Sequence, residues 1–311
     1  MIRFCTHFLV VCFSCLFLLA TSSAHAQITN WTGNFGQDWS DPSNWDNGIA
    51  GSGDTAVFGG GAGTTNVLLQ GNQTVNDLNF TSADAYTFDS GLIGFNTLTL
   101  ESGNITSVAV SDQTLSNNVE LGAAGTWDLE RILTLEGSLF GPFDLIKTGD
   151  GELSLTGDNS GFANNIAVSG GILVLNGTDA ISDATTITLP APAELSVVGG
   201  EQIGGLAGTG GFVNLGAVLT VGVNNLDTLY ADEISGGSAL DKTGFGKLTL
   251  TGDVTTANTT IVSGQLQIGN GGTSGSISGD ISNNEVLFFK LCPIHRIITS
   301  DLDSVEGGRP P

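Results

Sequence analysis

The chain has 311 residues, enough for one or two domains and a sizeable core. Charged residues make up 13% of it, half the ~25% usual in soluble proteins, while glycine fills 46 positions. With 31 Asp and Glu against 8 Lys and Arg, the formal charge of −23 argues against nucleic acid as a partner and against charge-driven docking on an anionic membrane.

Residues 1–26 read as a secretory signal peptide. Arg3 is the positive region, residues 8–20 form the apolar stretch broken only by Ser14, and Ala24-His25-Ala26 is a small-residue cleavage site that leaves Gln27 as the mature N-terminus. The apolar run is short for a membrane span, and no later segment is apolar enough to span a bilayer as a helix. Cleavage removes Cys5, Cys12 and Cys15, so Cys292 remains alone and no intrachain disulfide is available. An exported chain without disulfide staples must take its stability from a long core.

Residues 27–60 carry Trp31, Trp39 and Trp45 among Asp, Asn and Ser. This pattern predicts a capping segment whose rings cover the open end of a stacked core. From there to residue 288 the chain repeats one theme: a short apolar alternation, then Gly, Asn, Asp, Ser or Thr. Leu98-Thr99-Leu100, Leu133-Thr134-Leu135, Leu219-Thr220-Val221 and Leu266-Gln267-Ile268 are examples, each placing residues i and i+2 on one face of a strand. The expectation is an all-β mature chain.

Within that body, LIKTGDGELSLTGD (145–158) returns as LDKTGFGKLTLTGD (240–253), 95 residues later, with ten of fourteen positions identical. Each copy is followed by a second strand motif, VSGGILV (168–174) and VSGQLQI (262–268), so the clear copies run 145–174 and 240–268. Leu153, Leu155, Leu248 and Leu250 are expected to point inward, and the intervening Ser154 and Thr249 outward. Gly149 and Gly244 mark turns. A unit of ~20–30 residues cannot bury its own apolar face and must stack on its neighbours, which describes a parallel β-solenoid.

The repeat resembles the autotransporter-associated β-strand repeat of passenger regions in type V secreted bacterial proteins. Similar too are IGGLAGTGGFVNLG (203–216) with LTVG (219–222), ISGGSALDK (234–242), and the opening Trp31…Trp45…Gly53-Asp-Thr-Ala-Val-Phe58. The resemblance covers roughly residues 28–288. It implies a right-handed parallel β-helix displayed outside the cell, on the bacterial surface or outer membrane or secreted, and no defined activity. It also implies an unknown surface, glycan or protein ligand as partner. Full-length relatives in such families carry a C-terminal membrane β-barrel, which this sequence does not show. Residues 289–311 change character: they hold Cys292, His295 and three of the seven mature basic residues, Lys290, Arg296 and Arg309. This tail is expected to be a truncated or frame-shifted end, and a decayed fragment with no function is one alternative reading of the chain.

Chemistry-bearing patterns are sparse. A Ser-His-Asp or Cys-His arrangement needs a His base, and outside the tail the mature chain has none. Cys292 and His295 lie three apart, but two ligands do not close a zinc site. Neither a P-loop nor a calcium-loop pattern occurs. No catalytic residue, cofactor or metal is therefore expected. The enzymatic alternative is a carbohydrate-active β-helix using Asp38, Asp41 or Asp46 beside the Trp cluster, whose rings would stack on sugar. Lyases on β-helices pair acids with Lys or Arg on a strand face. Lys147 and Lys242, however, hold equivalent repeat positions, which favours a structural role.

Overall fold

The computed structural model describes residues 26–91, 94–292 and 295–299. The expected signal peptide lies outside them except for Ala26. Among the described residues the only helical element is one 3₁₀ turn, Pro42–Asn44; the rest is strand and turn.

Short alternating runs form strands because inward Leu, Ile and Val can be buried only on one face of a pleat. The Gly and Asn between them let the chain turn a corner within a few residues. The strands wind into a parallel β-solenoid, in which one coil returns to the same wall after about 20 residues, as Leu133 pairs Leu153 and Leu153 pairs Leu173. Three walls result. The first runs through Gly125–Leu129, Leu145–Thr148 and Ile166–Val168, then 186–188 and 205–208. It continues through Thr228–Tyr230, Lys247–Leu250, Gln265–Ile268 and Val286–Lys290. The second follows Gln113–Leu115, Leu133–Leu135, Glu152–Leu155, Ile172–Leu175, 194–197, 212–215, Glu233–Ser235 and 253–255. The third carries Asn118–Leu121 and Leu139–Phe140, and later Glu201–Ile203, Leu219–Val221, Ala239–Lys242 and 258–261. Where the third wall lacks strands, the buried Asn159 ties coils together: its Oδ1 accepts from the Leu139 amide at 2.5 Å and its Nδ2 donates to the Ala180 carbonyl at 2.9 Å.

Corresponding strands of the two repeat copies do not lie on the same wall. Leu145–Thr148 is joined by successive parallel pairings to Lys247–Leu250, the later half of the second copy, and not to its sequence counterpart Ala239–Lys242. The 95-residue offset is thus not a whole number of coils, and the second copy sits one wall round from the first. Leu153, Leu155, Leu248 and Leu250 are all buried, as expected. Ser154 and Thr249 do face away from the core register, yet they are only 7% and 4% exposed, which corrects the expectation of open outward positions. The reason is the wall itself: Ser154 lies between Thr134 and Val174, and Thr249 between Leu229 and Gln267, in register on adjacent coils.

At the N-terminal end, Ile28–Asn30 pairs with Thr55–Phe58, and residues 31–50 fold over the first coil. Trp31, Trp39 and Trp45 are buried. Trp39 and Trp45 meet edge to face at 4.8 Å, Trp31 and Trp45 at 5.2 Å, and the stack continues through Phe58 and Phe88 into the first coils. At the other end the last parallel strand, Val286–Lys290, is followed by His295–Thr299, which pairs with it antiparallel.

Candidate functional site

Three places in the fold bring chemistry-bearing residues together: the Trp-rich cap, the two repeat lysines, and a groove at a corner of the second and third walls.

In the cap, Asp38 and Asp41 each accept a hydrogen bond within a turn, and Asp46 accepts from Asn30 across the segment. The Asp38 Oδ1 accepts from the Ser40 amide at 2.8 Å, and the Asp41 Oδ1 from the Ser43 amide at 2.8 Å, capping the 3₁₀ turn. Asp46 accepts from both the Asn30 amide and the Asn30 Nδ2, at 2.8 and 2.7 Å, and the amide bond holds its carboxyl below the usual range. A glycosidase acid needs the opposite shift. The tryptophans are turned inward and donate their indole N–H groups to backbone: Trp31 to Thr64, Trp39 to Ala50 and Trp45 to Trp39. None presents a ring face to a sugar. These residues do come together, as their spacing suggested, and their contacts are those of packing and turns.

Cys292 is a free, exposed cysteine. The backbone of His295 lies opposite Lys290 in the terminal hairpin, while its side chain is outside the described residues. No group of three or more His, Cys, Asp or Glu suited to a metal occurs among the described residues.

Lys147 and Lys242 occupy inward register positions. Lys147 stands between Trp127 and Val168, and Lys242 between Val221 and Ile261. Both are fully buried, at 0% and 1% exposed. Each side chain runs to a corner and ends in a cage of carbonyl oxygens. The Lys147 Nζ donates to Thr148, Gly149 and Gly170 at 2.7, 2.9 and 3.1 Å. The Lys242 Nζ donates to Thr243, to Gly244 at 2.9 Å and to Ser263 at 3.3 Å. All three ammonium hydrogens are satisfied, and in both cages the last acceptor belongs to the following coil. Burial pulls both lysines down to about 8, against the upward pull of Asp128, Asp150 and Glu130 at Lys147 and of Asp227 at Lys242. The structural reading of these positions holds. Gly149 and Gly244, with φ of +73° and +70°, turn their carbonyls into the cages, and a side chain there would also strike the Leu129 and Gly222 carbonyls of the preceding coil.

The corner groove, about 350 Å³, is lined by Thr178, Asp179, Asp183, Glu201, Gln202 and Thr220. Glu201 was not singled out from the sequence. A signal was present: alternation through Glu201-Gln202-Ile203 puts the Glu on the same face as Ile203, and the next coils carry Leu219 and Leu240 in its column.

The architecture is therefore that of a parallel β-solenoid with buried corner lysines and a closed aromatic cap, offering stacked walls and shallow grooves. Comparison with known proteins agrees with the resemblance read from the repeats. The chain is similar to the adhesin BmaC autotransporter of Brucella suis biovar 1 (strain 1330), 33% identical over 180 residues, 56% of this chain. It covers 5% of that protein's length. No family model and no solved structure matches the chain. No helix among the described residues is long and apolar enough to cross a membrane.

Proposed function

We propose that this chain is an exported, non-enzymatic β-solenoid segment of passenger type, part of a surface-displayed or secreted adhesive molecule. The similarity to an autotransporter adhesin carries this reading. The repeat architecture supports it, because stacked coils present long, regular walls suited to contact over an area rather than at a cleft. A strongly acidic surface favours partners that are neutral or basic. The backbone hydrogen bonds accepted by Asp38, Asp41 and Asp46 support a packing role for the cap over the glycosidase alternative. The boundaries that go with this reading are a leader at 1–26, a cap at 27–60, a solenoid at 61–288 and an atypical tail at 289–311.

The test uses the secreted chain coated on beads and presented to arrays of glycans and matrix proteins, with a polysaccharide panel run in parallel for turnover. Saturable binding without turnover is expected, together with an N-terminus at Gln27 outside the inner membrane of a bacterial host. Turnover that disappears on Asp38→Asn or Asp41→Asn would overturn the proposal in favour of a carbohydrate-active enzyme.

A further inference from the structure

Glu201 breaks the logic of its column. It begins the strand Glu201–Ile203 at an inward position, in register with Leu219 and, one coil further, Leu240. Only 6% of it is exposed. The Oε1 atom accepts from the Gln202 amide at 3.0 Å, and Oε2 is buried with no hydrogen-bond partner. An orphaned carboxylate oxygen at a core position costs free energy when charged and far less when protonated.

The surroundings sharpen the effect. From the preceding coil, Asp179 and Asp183 line the same groove, and Asp179 sits in the left-handed region with φ +60°. Asp183 is engaged, accepting from the Gln202 Nε2 at 2.7 Å. Leu219–Val221 of the following coil brings no titratable group. No basic side chain lines the groove. Burial dominates and raises the carboxyl to about 7; the Gln202, Ala180 and Ile181 amides favour the charged form, and Asp179 opposes it.

We propose that the corner formed by residues 178–184 and 200–202 is a proton-controlled latch. With Glu201 protonated the corner is closed over the core, and ionisation of Glu201 beside Asp179 drives the corner open to water. The direction follows from linkage. A carboxyl raised in the closed state from an ordinary 4.5 favours closure below that value and loses this contribution as pH rises towards 7. The device would make this part of the solenoid tighter in mildly acidic surroundings than in neutral ones.

Hydrogen exchange of the secreted chain, corrected for intrinsic rates, is the test. Protection at Ala180, Ile181 and Gln202 should fall about tenfold between pH 5.5 and 7.5 in the wild type. Glu201→Gln should hold its protection constant across that range. Asp179→Asn removes the like charge that opposes ionisation, so it should lower the Glu201 midpoint. Unchanged wild-type protection, or an equal loss in Glu201→Gln, overturns the latch. If Glu201→Gln does not fold, a carboxyl carbon NMR titration of the wild type decides. A Glu201 midpoint near 7 accompanied by amide shifts at 180–181 supports the proposal, and a midpoint below 5 refutes it.

Discussion

Lys147 and Lys242 show how a single residue type can hold a corner without a counter-ion in contact. Each ammonium hydrogen finds a carbonyl, and one of those carbonyls belongs to the next coil, so the side chain stitches two coils together. Replacing Lys147 by Met keeps the stem but leaves three inward carbonyls without their donor. A loss of about 1–3 kcal/mol in urea unfolding at pH 7 is expected. Lys147→Arg should do no better, because a planar fork does not fit a cage built for a compact three-donor group. The pH dependence has a defined sign. Burial lowers both lysines to about 8 from an ordinary 10.5, so the folded chain sheds these protons before the unfolded chain does. Their contribution to stability therefore grows as pH rises from about 8 towards 10.5. The urea midpoint compared at pH 7.5 and 9.5 should show this gain in the wild type, and it should be absent from a Lys147→Met, Lys242→Met double variant.

Among the strands, Glu152–Leu155 and Lys247–Leu250 have the same sequence pattern and the same buried pair of leucines, yet they belong to different walls. Leu155 stacks between Leu135 and Leu175, and Leu250 between Tyr230 and Ile268. Truncation of either to Ala leaves a cavity and should cost about 2–5 kcal/mol. Because each coil touches mainly its neighbours, the damage should stay local. Hydrogen exchange should lose protection within the adjacent coils and keep it elsewhere; global loss from either variant would contradict a quasi-one-dimensional array. Leu155 has more coils on its C-terminal side than Leu250, so Leu155→Ala should be the costlier of the two. Ser154 and Thr249 are open to the same measurement. Buried within their wall, they should tolerate small residues and resist charge, so Ser154→Asp should destabilise where Ser154→Ala is near neutral.

The whole molecule is a stack with unlike ends. At the N-terminal end the tryptophans and Phe58 close the core, and at the other end of the described residues one strand, His295–Thr299, pairs antiparallel with the last parallel strand. A stack unravels from its least protected end, so the cap should matter most for the coils nearest it. Trp39 is fully buried against Trp45, Phe58 and Phe88. Trp39→Ala should cost about 3–5 kcal/mol locally. It should strip protection from Thr55–Phe58 and Asn66–Leu68 while leaving Ile172–Leu175 unchanged. Equal loss along the whole chain would mean that the solenoid melts as one unit.

Much of this was legible in the sequence because the relevant physics is local. Alternating Leu-Thr-Leu runs fix strands and their inward face, Gly fixes corners, and a unit too small to bury itself must stack. The inward leucines and the inward-turned Trp cap follow from those rules, and the structural reading of Lys147 and Lys242 from their equivalent repeat positions. What the tertiary structure alone decided concerns phase and partners. Coil length is set by the sum of several irregular corners, so small insertions accumulate, and corresponding strands of two near-identical repeats come to rest on different walls. No local pattern reports that total. Burial at Ser154 and Thr249 depends on what neighbouring coils place above and below them. The carbonyl cages need acceptors from a coil some 20 residues away, as between Lys147 and Gly170. Glu201 stood in plain alternation with Ile203, but only its register with Leu219 and its place beside Asp179 in the corner turn that position into a buried carboxyl with an oxygen left unpaired.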